Sequence, residues 1–192
     1  EHIIFDDLKF KNILQIDNKL RSRTFIVNGV SKAYAMTGWR LGYGAGPKEL
    51  IKEISKIQSQ STTHTSSISQ AAAIEALNNS NEFIKKNKKI FQERRDVIFS
   101  KLQDFSELQV FLPQGSFYVY VCCNNLIGKK KKDGTKINND IDLSDYFLDE
   151  GVAVVPGEAF GCSNFFRISF ATSNENIDEG CKKIISACKK LK

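Results

Sequence analysis

Lys32 and Arg40 stand eight residues apart within Asn28–Tyr43, which reads NGVSKAYAMTGWRLGY. Lys32 follows the apolar run Thr24–Val27 (TFIV), and Arg40 precedes a second, glycine-punctuated apolar segment, Leu41–Gly46. The pattern predicts two cations at the mouths of two successive strands, separated by a tight turn. Open α/β sheets hold their ligands at such mouths. An amine there, desolvated and near a second cation, becomes a usable nucleophile. A guanidinium beside it suits a phosphate, because its planar fork donates two charge-assisted bonds at once. Together they fit a small aldehyde with an anionic tail. As bare residues the pair is ordinary protein surface; the string around them decides.

The elements that must position them are legible in outline. His2–Phe5 is the end or start of a strand, and Asp6–Arg23 is loop with a short helical turn. Thr24–Val27, β-branched and aromatic, predicts a buried strand of a parallel sheet covered on both faces. Pro47 opens a helix with Leu50, Ile51, Ile54 and Ile57 at helical spacing. Gln58–Ser69 (QSQSTTHTSSIS) is expected to be a loop rich in hydroxyls, leading into an Ala-rich helix at Gln70–Leu77. Asn81–Phe105 is a long helix with Ile84, Phe91, Ile98 and Phe105 seven residues apart. Beyond it, strands are expected at Val110–Leu112, Ser116–Cys122, Val152–Val155 and Phe165–Ala171. A helix capped by Asp142 covers Leu143–Glu150, and Ser173 opens the last one, with Ile177, Cys181, Ile184, Ile185, Cys188 and Leu191 on one face. That order argues for a compact α+β unit.

Composition sets further bounds. The chain has 192 residues, 41% hydrophobic and 26% charged, enough for one substantial core or two small ones. No run reaches the roughly 18 apolar residues of a membrane span, and the first residues lack the basic-then-apolar layout of a leader. Much of the net charge of +6 lies in Lys129–Lys132 and in the terminal KKLK. The first run sits in the polar stretch Gly128–Asp140 without interleaved aromatics, so it reads as a solvated loop, and no nucleic-acid partner is expected. Five cysteines, two of them adjacent and none in a CxxC spacing, indicate neither a disulfide framework nor a metal site. They fit a reducing cytoplasm.

Arg167 lies in FFRISFATS among Phe165, Phe166, Ile168 and Phe170. A charge so near a core is costly unless paired, and an ion pair with a surface Glu is the plain reading.

The string SKAYAMTGWRLGY resembles the cofactor-lysine segment of the class I/II (fold type I) aminotransferases, with small residues before the Lys and Gly-Trp-Arg-x-Gly after it. AYAMTGWRLGY, SQSTT and VVPGEAFG are most similar to the bacterial-type aspartate aminotransferase branch, some members of which also use prephenate. The resemblance implies that Lys32 is catalytic and bonds covalently to pyridoxal 5′-phosphate (PLP). It implies that Arg40 binds the cofactor phosphate, and that Arg167, after the PGEAFG turn, grips the substrate α-carboxylate and so draws two domains together. The implied fold is α/β: residues 1–80 are the C-terminal part of a large PLP-binding domain, 81–106 a long interdomain helix, and 107–192 a complete α+β small domain. The implied activity is amino transfer between aspartate, or a similar amino acid, and 2-oxoglutarate. A homodimer with shared active sites is implied too, the Ser/Thr-rich loop reaching the partner's site. The family's Asp on the pyridinium nitrogen and Tyr on the 3′-oxygen fall just before the point matching Glu1. The chain is therefore expected to be the C-terminal half of such an enzyme and inactive alone. Other readings are an aromatic or prephenate aminotransferase, a β-lyase, or a non-catalytic dimerisation or binding fragment.

Overall fold

Two clusters of apolar residues divide the chain. A computed structural model describes residues 1–192, and these form two units, Glu1–Lys88 and Lys89–Lys192.

In the first unit, short 3-10 turns at Ile13–Gln15 and Asn18–Arg23 lead into β1 (Ile26–Gly29). A loop containing a 3-10 turn at Thr37–Trp39 returns the chain as β2 (Gly42–Ala45). The two strands pair antiparallel, Ile26 opposite Ala45 and Gly29 opposite Gly42, as a two-stranded sheet. This corrects the expectation of a parallel sheet. The connection has no crossover helix, which a parallel pair needs. Burial on both faces is not observed either: Val27 is 75% exposed. No third strand pairs with the hairpin, and all four residues of β2 are exposed.

Helix α1 (Lys48–Ser61) follows, with Pro47 at its N-cap rather than inside it, and then α2 (Ser67–Asn79). The Ser/Thr-rich stretch expected to be a loop is mostly helical, leaving only residues 62–66 between the two helices. Its hydroxyls bond back to the preceding turn, Ser59 Oγ to the Lys56 carbonyl at 2.7 Å and Ser61 Oγ to that of Ile57 at 3.1 Å. Buried apolar side chains are few in this unit: Phe5, Val30, Met36 and Ala73. Tyr34, Leu41, Ala72 and Ala76 pack around the last three.

Helix α3 (Asn81–Leu102) contains the division between the units. The second unit continues through β3 (Gln109–Val110), β4 (Tyr118–Cys122), α4 (Asp140–Asp149), β5 (Val155–Pro156), β6 (Phe165–Ser169) and α5 (Asn174–Lys190). Its sheet is antiparallel throughout, in the order β3-β4-β6-β5. Val119, Val121 and Phe166 on one face are buried with Ile98, Leu102, Leu143, Phe147, Ile184 and Cys188. Tyr146 Oη donates to the Ala187 carbonyl at 3.1 Å, fastening α4 to α5. Arg95 of α3, 3% exposed, pairs with Asp96 at 2.8 Å and donates to the Pro113 carbonyl at 3.1 Å. Helix α4 starts earlier than expected and is capped by Asn139, whose side chain accepts from the Asp142 N–H at 2.9 Å. Ser173 caps α5 as its sequence position predicts.

The stretch 128–140 is more ordered than a solvated loop. Lys130 and Lys136 form a bridge, Lys130 and Lys192 exchange two backbone hydrogen bonds, and Ile137 is buried. No helix of the chain is long and apolar enough to cross a membrane.

Four cysteines, Cys122, Cys123, Cys181 and Cys188, are buried, and Cys162 is half-buried. Burial pushes the thiols of Cys123 and Cys188 up to about 12 and that of Cys181 to about 11. Because the thiolate is the reactive form, iodoacetamide at pH 8 is expected to label Cys162 first. The buried four should react only after denaturation, which peptide mass spectrometry will show.

Candidate active site

The antiparallel register decides where the two predicted cations fall. Gly29, the last residue of β1, lies opposite Gly42, the first of β2, and Val30 N–H donates to the Leu41 carbonyl at 3.4 Å. Lys32 and Arg40 therefore flank one loop at the same end of the hairpin. Both are exposed. The desolvation expected around the lysine is absent from this unit.

Lys32 lines a cleft of about 330 Å³ with Glu1, His2, Asn28, Gly29, Ser31, Ala33 and Tyr34. That volume is at the lower end of the range for small-molecule sites. The cleft wall is a chain of polar contacts. Asn28 Nδ2 donates to Glu1 Oε1 at 2.9 Å, and Glu1 Oε1 is 3.4 Å from His2 Nε2. The same His2 nitrogen is 3.5 Å from Tyr34 Oη. Burial, and after it the Glu1 carboxylate, raises the Tyr34 phenol above its ordinary value.

Arg40 does not line this cleft. Its Nη1 donates to the Thr37 carbonyl at 2.9 Å, and its backbone is left-handed, with φ 53°. Ala35, in the same loop, is also left-handed at φ 54°. Such conformations cost an L-residue about 1–2 kcal/mol each, and strain of this kind concentrates at ligand-binding loops. A larger cavity of this unit, about 730 Å³, lies elsewhere, among Leu14, Arg21, Thr24, Ile26 and Pro47, and is lined by neither Lys32 nor Arg40.

In the second unit, Arg167 sits on β6 opposite Tyr120 of β4 and Val155 of β5. Strand alternation turns Phe166 into the core and Arg167 to the other face, with Tyr118 and Tyr120. The plain expectation of an ion pair is not met, since Arg167 has no carboxylate partner. Its Cζ instead lies 4.0 Å from the centre of the Tyr118 ring and 4.2 Å from that of Phe160. Aromatic faces hold a guanidinium without consuming its N–H donors.

Sequence reasoning passed over the residue that organises this face. Asp140, placed in a solvated stretch, is fully buried. Its Oδ2 accepts from the Glu158 N–H at 2.8 Å and its Oδ1 from the Asn164 N–H at 3.2 Å. It thereby ties both ends of the segment that carries Phe160. An Asp at a helix start is a visible signal, but partners 18 and 24 residues away are not.

The comparisons with known proteins bear on both units. Residues 1–184 match the family described as Aminotransferase class I and II. The chain belongs to that family. A probable aspartate/prephenate aminotransferase of Rickettsia prowazekii (strain Madrid E) is 52% identical over 192 residues, covering 100% of this chain and 48% of the relative. The crystal structure of an aspartate aminotransferase from Rhizobium meliloti superposes with a TM-score of 0.95 at 47% identity, over 100% of this chain and 48% of that one. An aromatic aminotransferase from Pyrococcus horikoshii OT3 gives 0.85 at 32% identity, over 98% and 49%. The chain spans about half the length of the curated relatives it matches. Its fold is the α/β fold of these aminotransferases.

The family implies PLP, and the hairpin end can be tested for it. An exposed amine with no partner and an unpartnered Ser31 hydroxyl line the cleft at the first residues of the loop, and the Arg40 guanidinium stands near its end, where the backbone is left-handed. That donor set fits a small aldehyde carrying a phosphate.

Proposed function

We propose that the protein carrying this chain is a PLP-dependent aminotransferase that moves the amino group of aspartate, or a similar amino acid, to 2-oxoglutarate in two half-reactions. The observation that supports this most is the pairing of Gly29 with Gly42, because it sets Lys32 and Arg40 at one end of one hairpin. Lys32 would hold the cofactor through its side-chain nitrogen, and Arg40 its phosphate. PLP, when bound, supplies an electrophilic carbonyl and an electron sink. Lys32 Nζ, once free, takes the proton from the substrate Cα and later returns one, as a positioned general base and acid. Arg167 holds the α-carboxylate with its unpaired N–H groups and so orients the Cα–H bond.

In this reading, residues 1–80 complete a large cofactor domain, 81–106 form the helix between domains, and 107–192 form the small domain. The assembly is a cytoplasmic homodimer with shared active sites, and its partners are amino acids and 2-oxo acids.

The test is an assay of the whole protein with aspartate, prephenate and phenylalanine, each against its amino-group partner. Aspartate should be turned over with 2-oxoglutarate. No turnover of aspartate would overturn the aspartate reading, and faster use of phenylalanine would assign the enzyme to aromatic substrates.

A further inference from the structure

A carboxylate-binding arginine works only if its fork is held in one direction, and Arg167 has no ion pair to hold it. Two aromatic rings take that place, and they differ in how they are supported. Tyr118 stands on β4, in the middle of the sheet, two residues along from Tyr120, which faces Arg167 directly. Phe160 belongs to no strand. It ends the 3-10 turn Gly157–Phe160 and is itself 47% exposed. Its position depends on the segment that carries it.

That segment is fixed at both ends by one buried carboxylate. Asp140 accepts from Glu158 N–H near its start and from Asn164 N–H at its end. The Gly157 carbonyl accepts from the Cys162 N–H at 3.0 Å and closes the loop on itself. Phe160 also meets Tyr120 edge-on, with ring centres 6.1 Å apart. A chain of direct contacts thus runs from Asp140 through the loop to Phe160 and on to the Arg167 guanidinium.

We propose that Asp140 is a positioning residue for Arg167, acting through the 157–164 loop and Phe160. The inference rests on the reading of Arg167 as the carboxylate-binding residue, and it adds what holds that arginine. Rings covering the guanidinium leave its N–H edge as the donor surface. A planar carboxylate meets that edge with two parallel bonds. Loss of the Asp140 bonds frees the loop, withdraws Phe160 and lets Arg167 sample other rotamers.

The experiment is an NMR titration of the ¹⁵N-labelled whole protein with succinate, following the Arg167 Nε–Hε signal, assigned by its disappearance in Arg167→Lys. In the unmodified protein the signal should be displaced from the free-arginine position by the two rings and should move with succinate. In Phe160→Leu and Asp140→Asn it should return toward the free position, and succinate should bind roughly tenfold more weakly. Should Asp140→Asn fail to fold, Glu158→Pro takes its place, since it deletes one of the two N–H groups given to Asp140. A signal that keeps its displacement and its succinate response in the folded variants would overturn the inference. A displaced signal in the unmodified protein that ignores succinate would instead overturn the carboxylate role of Arg167.

Discussion

Replacing Lys32 with Ala in the whole protein is expected to lower the rate of amino transfer by about 10⁴-fold or more. In the proposed reading the substitution removes both the covalent anchor and the group that carries the Cα proton, and no second lysine lines the cleft to replace it. His2 and Tyr34, the other titratable groups of the wall besides Glu1, already contact each other. The structural effect should be small. Lys32 is exposed and bonded to nothing, so its removal costs no packing. Unchanged unfolding combined with lost turnover is the pattern a chemical role requires. Arg40→Ala should act differently, weakening cofactor retention while leaving turnover at saturating PLP within about tenfold to a hundredfold.

Gly157→Ala is expected to destabilise the second unit by about 3 kcal/mol or more. A Cβ there would lie 2.1 Å from the Cys162 carbonyl oxygen and 2.8 Å from the Phe165 Cβ. The first obstacle is backbone, held by the bond from the Cys162 N–H to the Gly157 carbonyl, and it cannot swing aside as a side-chain tip would. The loop must open, which also disturbs Phe160 and hence Arg167. The urea midpoint of this unit should fall by more than about 1 M. Gly180→Ala is the contrast. Nothing lies within 4 Å of a Cβ at that helical position, so the change should raise stability by about 0.5–1 kcal/mol.

How much of this was readable beforehand follows from the range of the interactions involved. That Lys32 and Arg40 flank one turn was legible because both lie within one short string between two apolar runs. The helices α3 and α5 were legible because an apolar face repeats locally, and Ser173 because a cap acts on the next turn. The direction of β2 was not. Thr24–Val27 has the composition of a buried parallel strand, but direction depends on which strand pairs with it. The Ser/Thr stretch misled for a related reason: hydroxyls favour loops, yet Ser59 and Ser61 satisfy themselves on the helix they belong to. Arg167 could be marked as facing away from the core, whereas the rings that receive it come from β4 and from the 157–160 turn. Asp140 was unreadable in the same way, since its partners join it only after the chain has folded.

The central claim is that Lys32 and Arg40 serve one small phosphate-bearing aldehyde. The most direct measurement mixes the protein with PLP, reduces with borohydride and maps the modified peptide by mass. The account predicts modification at Lys32, lost in Lys32→Ala and weakened in Arg40→Ala. Modification spread over exposed lysines, equal in all three proteins, would contradict it.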